Sequence, residues 1–165
     1  MIRTCGLQDI TDFSKAQNRY GDIILRLEGW GQLMYNPPNV SGWRGMRDWV
    51  NPSVLSRRLQ FSQDVIQNKL LTISNPVPPA IYTFDLHAFV SRFTSIHDPE
   101  ALAVDFAMYL LPHTLTEEDK TLFIEAILDG GKAYEWNIDD PKQRTDERMT
   151  KCLVAIVSHP AFQLY

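Results

Sequence analysis

Three times in this chain, at Asn51-Pro52, Asp98-Pro99 and Asp140-Pro141, an amide or carboxylate stands before a proline and an apolar stripe at helical spacing follows. Few local patterns restrict a fold more. Asn and Asp side chains accept hydrogen bonds from the unpaired N–H groups of a helix's first turn. Proline at the first helical position gives up an N–H that had no partner there, and its fixed φ suits the helix. The pattern predicts helices opening at residues 52, 99 and 141. Thr116 before Glu117-Glu118-Asp119 predicts another, with a threonine cap and acids against the positive end of the helix dipole.

Apolar residues then recur in steps of three and four. Phe13, Ala16, Tyr20, Ile23, Ile24, Leu27, Trp30 and Met34 predict a first helix from about Thr11, with Gly29 and Gly31 marking fraying or a close helix contact. Val54, Leu55, Leu59, Phe61, Val65, Ile66 and Leu70 predict a second, ending before the stiff segment Asn75-Pro76-Val77-Pro78-Pro79. A short third helix reads from Asp85 with Leu86, Phe89, Val90 and Phe93 inward. The fourth buries Leu102, Phe106, Tyr109 and Leu110 and stops at Pro112. The fifth carries Leu122, Phe123, Ala126 and Ile127, and Gly130-Gly131 ends it. The sixth shows Met149, Cys152, Leu153, Ile156 and Val157 on one stripe. His159-Pro160 breaks it, and Phe162 is expected to fold back onto the bundle. No stretch reads as a strand. The expected fold is all-α: an irregular bundle of about six helices with one long ordered loop, residues 36–51.

The chain's 165 residues fit one domain, 1–165, long enough to bury a core without staples. Its net charge of -4 gives no pull toward nucleic acid or an anionic membrane. No apolar run approaches the roughly 18 residues of a membrane span, and the first residues lack the apolar stretch of a signal peptide. The compartment therefore stays open, cytoplasmic or exported. The two cysteines, Cys5 and Cys152, match no metal spacing. They read as free thiols, with a terminus-to-terminus disulfide as the alternative. Nothing calls for a cofactor or a second copy, so a monomer is expected.

Catalytic signatures are missing: no nucleophile elbow, zinc-protease helix, phosphate loop or dinucleotide fingerprint. Of His87, His97, His113 and His159, no two are four residues apart on one helix. His113 and His159 fall at helix ends, where an imidazolium suits the dipole. The acidic clusters Glu117-Glu118-Asp119 and Asp139-Asp140 each adjoin a helix start, where capping accounts for them.

The loop is the exception. Two prolines, two glycines and three asparagines within residues 36–51 forbid a regular helix. Tyr35 stands just before it. Asn36, Asn39, Trp43, Arg47, Asp48, Trp49 and Asn51 place aromatic faces beside amides and charges, a composition suited to a glycan or protein partner. The same residues also suit a structural clamp, with amides closing the loop's backbone and tryptophans pinning it to helices.

At this loop the chain resembles a known family. Gly31-Gln32-Leu33-Met34-Tyr35-Asn36-Pro37-Pro38-Asn39-Val40-Ser41-Gly42-Trp43 is similar to the signature of a bacterial family catalogued as domain of unknown function eighteen-hundred. Trp49-Val50-Asn51 and Ser53-Val54-Leu55-Ser56-Arg57-Arg58 resemble its continuation, and Ser158-His159-Pro160-Ala161-Phe162-Gln163 its close. Arg44 and Met46 depart from the usual proline and glycine, as does Ala161 from the usual acid. The resemblance implies a bacterial, mostly helical protein, with this chain as the C-terminal part of a longer architecture. It supplies no reaction, cofactor or catalytic residue. The leading expectation is thus a non-catalytic helical module. The alternative is part of a hydrolytic enzyme, with Asp48, Glu117, Glu118 or Asp139 meeting Arg47 or a histidine in a cleft.

Overall fold

A computed structural model of the chain describes residues 21, 23–33, 35–37, 39–42, 51–69, 84–140 and 144–164. The chain is all-α: every regular element among these residues is a helix. Residues 21 and 23–29 are helical and belong to α1. Then come α2 (Pro52–Ile66), α3 (Leu86–Val90), α4 (Pro99–Leu110), α5 (Glu117–Leu128), a 3-10 turn at Ala133–Glu135, α6 (Thr145–Ser158) and α7 (Pro160–Leu164). No helix among the described residues is long and apolar enough to cross a membrane. The chain divides into two compact units, Met1–Phe84 and Asp85–Tyr165.

In the first unit α1 closes with a Schellman motif. The N–H of Gln32 reaches back to the Leu27 carbonyl (2.8 Å), the N–H of Gly31 to that of Glu28 (2.9 Å), and Gly31 takes the left-handed φ of 71° that the motif needs. Gly31 is therefore a helix stop, and Gly29 a contact point, since its carbonyl accepts from Arg57 Nη1 of α2 at 2.9 Å. Trp30 packs edge-on against Phe61 with ring centres 5.4 Å apart, and the Arg26 guanidinium lies 5.3 Å over the same phenyl ring. Val54, Ser62 and Val65 are the buried residues of α2.

Asn51 caps α2 as its spacing predicts, its Oδ1 accepting from the Val54 N–H at 2.9 Å. The helix ends at Ile66, short of the predicted end. The cause is Asn68, whose φ of 54° breaks the helix. The Lys69 N–H turns back to the Asp64 carbonyl (2.8 Å). The Asn68 amide then holds the backbone of Phe84 at both ends, donating to its carbonyl (3.0 Å) and accepting from its N–H (2.5 Å).

In the second unit α4, α5 and α6 pack on one another, and α7 packs on α6. The core is Leu102, Ala103, Phe106 and Ala107 from α4, Phe123 and Ile127 from α5, and the complete predicted stripe of α6, none more than 1% exposed. Each buried Phe, Leu, Ile or Met contributes about 1.5–3 kcal/mol. The two alanines leave room for neighbouring helices to approach. Asp85, Asp98 and Thr116 cap α3, α4 and α5 as predicted, with side-chain oxygens 2.9 to 3.2 Å from the N–H groups they serve.

Several expectations need correction. Asp140-Pro141 does not open α6, which starts at Thr145. Arg144 immediately before it holds a φ of 51°, so no continuous helix runs through that residue. Tyr109 and Leu122, expected inward, are 55% and 48% exposed. Tyr109 instead lies at the rim of an aromatic group, its ring edge-on to Phe89 and Phe93 at 5.7 and 5.8 Å.

The C-terminus of α5 is closed from a distance. Asp129 and Gly130 turn out of the helix with φ of 48° and 80°. Arg148, buried on α6, donates from Nε to the Ile127 carbonyl (3.0 Å) and from Nη2 to that of Leu128 (2.8 Å). Its guanidinium lies 5.1 Å over the Trp136 ring, and the Trp136 indole N–H donates to the Ile96 carbonyl at 3.0 Å. Gly131 is tied to this packing, because a β-carbon there would stand 3.0 Å from Arg148 Nη2 and 3.1 Å from the Leu128 carbonyl oxygen. Among the described residues no buried side-chain nitrogen or oxygen lacks a hydrogen-bond partner.

Candidate functional site

Two local turns lie among the described residues that follow α1. The Asn36 N–H closes the first onto the Leu33 carbonyl (3.3 Å). Within it Tyr35 holds a φ of 63°, and it is 92% exposed. The second turn runs from Asn39 to Gly42. Asn39 Oδ1 accepts from the Ser41 N–H (2.9 Å) and the Asn39 carbonyl from the Gly42 N–H (3.0 Å). Gly42 supplies the φ of 87°. Across these turns Asn36, Pro37, Asn39 and Val40 are all exposed.

Of the residues singled out from the sequence, Asn36, Asn39 and Asn51 are thus solvent-facing, and Asn39 and Asn51 spend a side-chain oxygen on local backbone. Trp43, Arg47, Asp48 and Trp49 lie outside the described residues. The sequence list passed over Val40 and treated Tyr35 as a flank. Their spacing carries no signal, because only the turn geometry turns both outward.

A second constellation forms in the other unit. His113 lies in the segment between α4 and α5, Asp119 in the first turn of α5, and His159 between α6 and α7. His159 Nε2 stands 3.2 Å from Asp119 Oδ1, and His113 Nε2 stands 3.7 Å from Asp119 Oδ2. The two imidazoles are nearly parallel, 8° apart with centres 6.1 Å apart, and Phe123 meets His159 edge-on at 5.7 Å. His159 Nδ1 accepts from the Ala161 N–H at 3.3 Å. Asp119 also completes the capping box, accepting from the Thr116 N–H at 3.0 Å. That backbone bond, with the Thr116 hydroxyl and then His159 and His113, holds its carboxyl below the usual carboxylate range against the opposing effect of desolvation.

Separation along the chain hid this group, since helix-end roles account for each residue singly. Of the other acids considered, Asp48 lies outside the described residues. Glu117 pairs with Lys120 at 2.6 Å, while Glu118 and Asp139 are exposed. His87 faces Asp146 at 3.3 Å on an exposed surface. Among the described residues no three His, Cys, Asp or Glu side chains are grouped so as to hold a metal ion. Cys152 is a free, buried thiol whose pKa burial pushes up to about 12, unsuited to a nucleophile.

The resembling close of the chain has a structural account as well. Gln163, 3% exposed, donates from Nε2 to the Val157 carbonyl at 2.8 Å and so closes the C-terminus of α6. No curated protein and no solved structure matches the chain. One family model does, described as protein of unknown function (DUF1800), over residues 7–164. With a match over nearly its whole length, including the Gly31-to-Gly42 turns and the Gln163 cap, the chain belongs to the DUF1800 family.

Proposed function

We propose that this chain is a non-catalytic helical module whose loop, running on from α1, is an interaction surface for a protein or glycan partner. The observation that carries this is Tyr35. A non-glycine residue at positive φ costs about 1 kcal/mol, and helix ends account for that cost at Asn68, Asp129 and Arg144, the others among the described residues. Tyr35 stops no helix, and 92% of it faces solvent. Strain at an exposed aromatic points to use by a partner. Val40, fully exposed on the adjoining turn, adds an apolar contact. In this proposal the surface also takes in Asn36, Asn39 and Asn51 and extends to Trp43, Arg47, Asp48 and Trp49. A phenol ring offers both a stacking face for a sugar and an anchor for a groove.

The test is binding to glycan and peptide arrays by the wild type and by Tyr35→Ala, Val40→Ser and Trp43→Ala. Loss of one shared ligand in all three variants, with the melting temperature held, is expected. A ligand that binds all three as well as it binds the wild type would place the surface elsewhere and sink the idea.

The alternative, part of a hydrolytic enzyme, draws on one observation, the approach of Asp119 to His113 and His159. Both carboxylate oxygens already have roles, in the capping box and against His159. The module is therefore the better supported.

A further inference from the structure

The imidazole of His159 is placed between two partners with opposite requirements. Nδ1 accepts from the Ala161 N–H in the first turn of α7, so that nitrogen must be unprotonated. Nε2 faces Asp119 Oδ1 at 3.2 Å and is the nitrogen that carries the hydrogen. We propose that His159 is a pH-operated latch, which holds the Ala161 N–H when neutral and lets it go when a proton from solvent binds Nδ1.

The charges around it set the direction. The ionisable groups that face His159 are Asp119 from α5 and His113 from the segment before α5. Phe123 supplies an uncharged edge, and α7 contributes the Ala161 N–H. Protonation puts two donors against each other at Nδ1 and Ala161, so that bond is lost. The same proton strengthens attraction to the Asp119 carboxylate. The ring is handed from α7 to α5. His113 is stacked 6.1 Å away and faces the other oxygen of the same carboxylate. The α7 bond is thus present while the ring is neutral and lost once Nδ1 takes a proton. The Phe162 and Gln163 N–H bonds to the His159 carbonyl, 3.0 and 3.4 Å, do not depend on the ring's proton, so the change is confined to the Ala161 bond.

Two measurements on the intact chain decide the matter. Imidazole nitrogen shifts at about pH 7.5 are expected to report the Nε2–H tautomer for His159. Amide exchange, corrected for intrinsic rate, is expected to show Ala161 losing about tenfold in protection by about pH 5, the weight of one hydrogen bond. His159→Asn keeps an acceptor oxygen near the Nδ1 position and binds no proton, so its Ala161 protection should stay level. His113→Asn should retain the fall. An Nδ1–H tautomer in the wild type overturns the proposal, even if the Asn variant does not fold. An equal fall in His159→Asn overturns it as well.

Discussion

Four non-glycine residues among those described hold a positive φ, namely Tyr35, Asn68, Asp129 and Arg144, and three of them lie at a helix end. At Asn68 the side chain adds a second role, holding Phe84 through both its amide atoms. Asn68→Gly keeps the left-handed turn and loses that hold, and should cost about 1–2 kcal/mol in chemical denaturation. Asn68→Ala loses both and should cost more. A glycine variant as stable as the wild type would mean the Phe84 bonds contribute nothing. Roles of this kind differ in how far a sequence discloses them. Asn51, Asp85, Asp98 and Thr116 act within three residues of themselves, so their caps could be read from spacing. Asn68 acts on a residue 16 positions away, and His159 on an acid 40 positions before it. No local pattern encodes either.

Among the elements, α6 was the most legible, since its five-residue stripe is entirely buried. Its start was not, because the cap-and-proline rule ignores what Arg144 does to the backbone. The stripes of α4 and α5 were read too broadly. Alanines at 103 and 107 are buried on α4, while Tyr109 and Leu122 are exposed. The tie between α5 and α6 depends on Arg148. Arg148→Met leaves the Ile127 and Leu128 carbonyls without their partner and should cost about 3 kcal/mol by urea denaturation. Arg148→Lys should recover little, since an ammonium lacks the planar fork and its stacking on Trp136. Gly131→Ala should destabilise too, by about 1–2 kcal/mol, through its closeness to Arg148 and the Leu128 carbonyl. If Gly131→Ala is harmless only in an Arg148→Met background, the clash is with the guanidinium; if it is harmful in both, the backbone carbonyl is responsible.

At the scale of the whole molecule Asp119 and Cys152 act on opposite limbs of the pH profile. Asp119 is held below its ordinary value of 3.8. Its contribution to stability is therefore complete above that value and is lost as pH falls through the lower folded one. Asp119→Asn should flatten the acid limb of a melting-temperature profile. Cys152 behaves in reverse. Its unfolded thiol ionises near 9.0 while the folded one holds its proton to about 12, so unfolding becomes progressively easier across that interval. Cys152→Ala should lower stability at neutral pH, through the cavity, yet make the alkaline limb shallower. Equal slopes in variant and wild type would exclude the thiol as the cause. The all-α class was open to a sequence reading because helical periodicity is local. The pairing of remote side chains that closes the helices was not. That closure follows one direction, since the last carbonyls of α5 are met by Arg148 of α6 and those of α6 by Gln163 of α7. A chain emerging from the ribosome makes each helix before the residue that finishes it. Both α5 and α6 therefore wait for a successor, and the Asp85–Tyr165 unit should resist a protease on stalled nascent chains only once Gln163 has left the exit tunnel.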